Sequence, residues 1–272
     1  SSAISEDEER ATFPSDRDGY GPEKPSMSLY RWAEGDEAAA KIAGEEAEGI
    51  PEGWWIAASG ARFPEDGRRS LLNPQPRPEA AGKTKAQLEK EKKAKAKDPV
   101  VKLDIWHWKD DALQPRQLLQ AEQERRRSYP ALFDIEAGKV VQLATKEMPS
   151  VRVDARSPSD MAVGTSSAKY AVSESWESPG FSDSYVVDLK TGDARMVLER
   201  VRGTARMSPA GRFLTWWDPD PRKLFAMPTA GGDTVDLSEG IPTSLANELH
   251  DTPAPPRSCR HTVQRGVARH GA

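Results

Sequence analysis

The chain has one cysteine, Cys259. That excludes an internal disulfide framework and any thiolate metal cluster. It has no apolar run near the ~20 residues needed to cross a bilayer. The start, "SSAISEDEER", lacks both an initiator Met and an apolar signal core, and reads as a processed or truncated beginning. Apolar residues are scarce at 36%, below the usual ~45–50%, while charged residues reach 30%. Such a chain buries a core and leaves part of itself as solvated tail or insertion. Histidine is rare, with His107, His250, His261 and His270 the only four.

Charge is unevenly spread around a net of −4, which argues against a polyanion binder. Residues 1–52 carry 14 acids against 5 bases, whereas "GKTKAQLEKEKKAKAKD" (82–98) carries 7 lysines against 3 acids. The last twenty residues, 253–272, have no acid, no aromatic residue and no periodic apolar pattern. They read as sequence outside the fold, the product of a misread frame.

What is present is a repeat. "LYRWAEG" (29–35), "LFDIEAG" (132–138), "VVDLKTG" (186–192) and "LFAMPTAGG" (224–232) share an apolar strand followed by a glycine turn. Phe133, Asp134, Ile135 and Gly138 match Val187, Asp188, Leu189 and Gly192 at a constant offset of 54. A second strand follows in each, "KVVQLA" and "DARMVLE", so each pair reads as a β-hairpin. A proline turn also recurs, in "RMSPAGRFLTWW" (206–217), "DARSPSDMAVGT" (154–165) and, more loosely, "ARFPEDGRRSLL" (61–72). Proline and glycine turns alternate along the chain. A unit of about 40–50 residues with four short strands is the pattern of a β-propeller blade; a two-layer sandwich is the competing reading.

The expected architecture is therefore all-β: an incomplete β-propeller of four-stranded blades with a charged helical insertion. Residues 1–27 are expected to be an acidic, poorly ordered segment, 28–245 the propeller and 246–272 a tail. Units are expected at 54–150, 151–204 and 205–241, with half a unit at 28–53. That makes about three and a half blades, fewer than the roughly four to eight a closed ring needs, so the chain reads as a piece of a longer protein.

Within the insertion, 84–98 is expected to be a helix started by Thr84 and Gln87, with only Leu88 able to pack. It is either a solvated excursion or a basic arm for an acidic partner or nucleic acid; the lack of interleaved aromatics argues for the first. A short helix is expected at 115–127, pinned to the sheet by Leu118 and Leu119. "VVKLDIWHWKDD" (100–111) alternates like a strand, with His107 read as a satisfied core residue and a base or metal ligand as the functional alternative.

"KLDIWHWKDDALQP", "QAEQERRRSYPALFDIEAGKVVQLA" and "MPSVRV" resemble the N-terminal propeller region of the prolyl oligopeptidase family of serine peptidases, closest to its dipeptidyl aminopeptidase and acylaminoacyl peptidase-like members. "SPAGRFLTWWD" resembles the wider TolB-like propellers. The resemblance covers residues 28–245. It implies a propeller that gates peptide access to a C-terminal α/β-hydrolase domain, absent from this chain. It also implies a peptide substrate and leaves the compartment open, exported or cytoplasmic. A stand-alone TolB-like propeller binding a protein or peptide is the alternative.

No reaction centre is legible. The family's G-x-S-x-G elbow is missing, and "GTSSA" (164–168) lacks its second glycine. "KDD" (109–111) and "DPDP" (218–221) lack the spacing of a calcium loop and read as turns. "TAGGDTVD" (229–236) opens no helix that would cradle a phosphate. Trp54–Trp55 and Trp216–Trp217 read as inter-blade packing, with an aromatic peptide platform as the functional alternative. No catalytic, cofactor or metal residue is assigned; no nucleic-acid partner and no membrane span are expected.

Overall fold

The repeat at offset 54 is a shared hydrogen-bonding device. In the computed structural model, Asp134 and Asp188 each close a hairpin with the side chain. Asp134 Oδ1 accepts the Glu136 and Ala137 N–H groups at 3.0 and 2.9 Å. Asp188 Oδ1 accepts those of Lys190 and Thr191 at 2.7 and 3.3 Å. The glycine four residues on returns its N–H to the aspartate carbonyl in both, at 2.9 and 2.8 Å. Gly138 and Gly192 have φ of +67° and +81°, where a Cβ is strained. A Cβ at Gly138 meets nothing within 4 Å, whereas one at Gly192 lies 2.6 Å from the Gln142 carbonyl oxygen. Gly138→Ala is therefore expected to cost about 1 kcal/mol, the backbone strain alone. Gly192→Ala should cost measurably more, as read by urea midpoints.

The structure describes residues 3–4, 9–17, 27–56, 69–77, 83–97, 105–154, 159–177, 180–242 and 245–246. The first sheet runs β1 (Ala3–Ile4), β2 (Arg10–Ser15), β3 (Ser28–Ala33) and β4 (Ala40–Ala43), in that order. A second group contains β5 (Trp54–Ile56), β6 (Arg69–Leu72), β7 (Pro74–Pro76), β8 (Ala131–Asp134) and β9 (Lys139–Gln142). The third sheet is β10 (Ser150–Arg152), β11 (Met161–Ser166), β12 (Phe181–Asp188) and β13 (Ala194–Arg202). The fourth is β14 (Arg206–Met207), β15 (Phe213–Asp218), β16 (Lys223–Pro228) and β17 (Val235–Asp236). Each is an antiparallel meander in chain order.

The second group is one such meander with its second strand broken. β6 pairs with β8 and β7 with β5, and only Asn73 separates β6 from β7. The β6–β8 register continues past the break, because the Tyr129 N–H donates to the Pro74 carbonyl at 2.7 Å. Pro74 and Pro76 carry no N–H, so Gln75, opposite Trp55, is the one residue of β7 with a backbone donor.

Among the described residues, most of the buried apolar side chains fall in three clusters, each between consecutive sheets. Leu29 and Ala43 of the first sheet meet Ile56, Leu72, Phe133 and Val140 of the second. Leu132, Val141, Leu143 and Met148 meet Val151, Ala162 and Val187 of the third. Val163, Val186 and Val201 meet Leu214, Trp216 and Met227 of the fourth. Neighbouring residues of one strand thus serve opposite cores: Leu132 faces forward and Phe133 back, as strand alternation requires. Thr12 of β2 and Ser70 of β6 are both buried, with their hydroxyls 3.4 Å apart across the first boundary. Four-stranded meanders stacked in chain order are the architecture of an incomplete β-propeller, and the all-β expectation holds.

Three expectations are corrected. First, the acidic stretch 1–27 is not outside the fold. β1 and β2 lie in it and complete the first blade, so the half unit at 28–53 is whole. Second, the described part of 100–111 is no strand. Residues 105–107 are irregular, a turn follows at 108–109, and His107 is exposed. The Asp110 carboxylate accepts the His107 N–H at 3.0 Å, a local turn that replaces a ladder. Third, α2 (Gln114–Arg125) has no buried residue, so Leu118 and Leu119 pin nothing. Its anchor is Arg116, paired with Glu174 at 2.5 Å.

α1 (Lys85–Lys97) starts as expected: the Thr84 N–H donates to Gln87 Oε1 at 2.8 Å, and the Gln87 N–H to Thr84 Oγ1 at 3.4 Å. Leu88 is half-buried and the other described side chains of α1 are exposed. Deleting residues 84–97 is expected to change the unfolding free energy by less than about 0.5 kcal/mol, measured by urea titration. The expected tail begins near Ala246, which is buried; residues 247–272 lie outside the described residues. Among the described residues no helix is long and apolar enough to cross a membrane.

Candidate functional site

In such a meander, the connection between second and third strands emerges at the end opposite the other two hairpins. Three of these connections meet in one polar cluster: α2 from the second blade, 167–177 from the third, and the β15–β16 turn from the fourth. Arg116 joins the first two through Glu174. Arg202, at the end of β13, joins the last two: its Nε is 3.1 Å from Asp220 Oδ2 and its Nη2 3.9 Å from Glu177 Oε1.

Asp183 anchors the cluster. Its side chain is 2% exposed, and it lies where β12 and β13 slip register between Ser182 and Ser184. Its Oδ1 accepts the Tyr170 hydroxyl at 2.7 Å and the Arg200 N–H at 3.0 Å. Lys169 Nζ lies 3.0 Å from Asp183 Oδ2 and 3.4 Å from Glu199. Burial pushes the Asp183 carboxyl up, but the bonds from Tyr170, Arg200 and Lys169 outweigh it and leave it below the ordinary range. Burial, reinforced by the Asp183 charge, pushes the Tyr170 hydroxyl up. Arg200 has φ +53°, a strained conformation for a side chain other than glycine, and its N–H bond to Asp183 holds it there. The Arg200 and Arg202 guanidinium carbons lie 4.4 and 4.3 Å from the Phe181 ring centre, within cation–π range.

The sequence did carry a signal for this cluster. "FSDSYVV" puts a charged residue inside an apolar strand, where burial without partners is costly. Its partners, Tyr170 and the Arg200 backbone, come from other segments and could not be read from spacing.

The weighed sites fall apart from one another. In "GTSSA", Gly164 to Ser166 end strand β11, and Ser166 is buried with its hydroxyl donating to the Glu147 carbonyl at 2.5 Å. No strand-to-helix elbow exposes it. Asp218 of "DPDP" accepts the Asp220 N–H at 3.1 Å, a turn contact. "KDD" also lies in a turn, and "TAGGDTVD" joins β16 to β17. Trp55 and Trp216 are buried, and Trp54 packs on Tyr129 at 4.8 Å, so these aromatics serve packing. His250, Cys259, His261 and His270 lie outside the described residues. Among the described residues no group of three His, Cys, Asp or Glu is arranged to hold a metal ion. The cluster can bind and orient polar groups, but it pairs no nucleophile with a base.

No family model matches the chain, and no curated protein matches it in sequence. Among solved structures it is similar to the β-propeller domain of the Trilobed protease from Pyrococcus furiosus, at 12% identity and TM-score 0.42, covering 89% of this chain and 57% of that one. It is similar to acylaminoacyl peptidase from Pyrococcus horikoshii, at 14% identity and TM-score 0.40, covering 89% and 32%. It is also similar to TolB from Acinetobacter baumannii, at 12% identity and TM-score 0.33, covering 85% and 40%. This chain spans less than two thirds of the length of each of them.

Proposed function

We propose that this chain is the propeller portion of a prolyl-oligopeptidase-like serine peptidase, gating peptide access to a hydrolase domain that lies outside it. The observation that carries this reading is the stack of four-stranded meanders with a core cluster between each successive pair of described sheets. Such a stack forms a wall and lends itself to a channel. The "KLDIWHWKDDALQP" resemblance supports the same family. The chain's own part is steric and polar: it limits what enters, and the Asp183–Arg202 cluster presents charged groups at one end of the wall.

The test is covalent. A fluorophosphonate probe is expected to leave this chain unlabelled and to label one serine in the protein encoded by the whole gene. Labelling of any serine in residues 1–272 would overturn the non-catalytic role. A whole gene product without G-x-S-x-G and without labelling would leave the stand-alone TolB-like binding propeller as the better reading.

A further inference from the structure

The insertion between β7 and β8 leaves a set of apolar side chains in water. Ile105 is 84% exposed, Trp108 75% and Leu119 84%, and Trp106, Leu113 and Leu118 are also exposed. Trp176, exposed as well, sits two residues from Glu174, the carboxylate that holds α2 through Arg116. A soluble monomer rarely leaves so many large apolar groups of one short stretch exposed without a partner. They do not belong to the propeller core, because α2 buries none of its residues. Nor is the segment slack: Gln117 Nε2 donates to the Ala112 carbonyl at 2.6 Å, and Lys109 Nζ rests 5.1 Å from the Trp108 ring centre.

Charge says what covers them. Residues 83–127 carry 13 Lys and Arg against 8 Asp and Glu, whereas the rest of the chain carries 26 against 35. Residues 83–127 are thus a net basic stretch that also exposes Trp106, Trp108, Leu113, Leu118 and Leu119. We propose that this insertion docks peripherally on an anionic lipid surface. Tryptophan rings settle at headgroup level, and leucine and isoleucine enter the acyl boundary. Lysine and arginine stems lie along apolar surface with their charges at the phosphates. A nucleic acid would use the bases and leave the aliphatic side chains idle; a lipid surface uses both. This proposal does not depend on the peptidase reading.

The test is partition of the full chain into vesicles of phosphatidylcholine alone and of phosphatidylcholine mixed with phosphatidylglycerol. Binding to the mixed vesicles is expected to be at least about tenfold stronger and to weaken as salt is added. Acyl chains brominated near the headgroup should quench fluorescence from Trp106 and Trp108, and Trp106→Phe/Trp108→Phe should remove that quenching. Leu118→Ser/Leu119→Ser and, separately, Lys85→Glu/Lys90→Glu/Lys93→Glu should each lower partition about tenfold. All these side chains are exposed, so the fold survives the changes, and the quenching of the unmodified protein needs no variant. Equal partition into both vesicles, no partition at low ionic strength, or binding to RNA or polyglutamate without vesicle binding would each overturn the proposal.

Discussion

Phe133→Ala is expected to lower the unfolding free energy by about 3–5 kcal/mol. Phe133 is 1% exposed and sits where the first and second blades meet, among Leu29, Ala43, Ile56 and Leu72. Removing the ring leaves a void that two sheets cannot both close, because each is held in register by its own ladder. Native stability is only about 5–15 kcal/mol, so the variant should sit near the edge of folding at ambient temperature. Leu132→Ala, one residue earlier, opens the other boundary and should cost about 2–5 kcal/mol. Met161→Ala, at an exposed position of β11, should cost less than about 0.5 kcal/mol. Urea titrations of the three variants check this. Equal small losses at Leu132 and Phe133 would mean that neither boundary exists as described.

Asp183→Ala is expected to cost about 2–4 kcal/mol, because the Tyr170 hydroxyl and the Arg200 N–H lose a charged acceptor in a buried place. Asp183→Asn keeps an oxygen and should cost less. The carboxylate is depressed in the folded protein. Its stabilisation is therefore complete above the ordinary carboxylate range and lost as pH falls through the folded value. Asp236 behaves the same way: Lys223 at 2.7 Å and Ser238 hold it down to about 2. Stability should therefore fall between pH ~4 and ~2, and less steeply in Asp183→Asn than in the unmodified protein.

The hairpins were legible because their chemistry is local. An aspartate, three loop residues and a glycine make the turn by themselves, so residues 134–138 and 188–192 could be matched without knowing what surrounds them. The first blade was legible only in its second half. β2, "RATFPS", is short, polar and preceded by an acidic run, and its place in the sheet comes from pairing with β3. The W-H-W stretch misled in the opposite sense. Its alternation is that of a half-buried strand, but Ile105, Trp106 and Trp108 are exposed, and apolar residues left in water carry the same pattern as apolar residues in a core. The Asp183 cluster lay beyond spacing arguments, since it unites side chains and backbone 13 and 17 residues apart through a register slip.

The stacking of successive meanders, with β2 inside the first, is tested most directly at Thr12 and Ser70. With Cys259 replaced by serine, Thr12→Cys/Ser70→Cys is expected to form an intramolecular disulfide under mild oxidation, seen as a mobility shift that reductant reverses. Each single variant should form none. A double variant whose two thiols stay free under the same oxidant, while the protein remains folded, would contradict the arrangement.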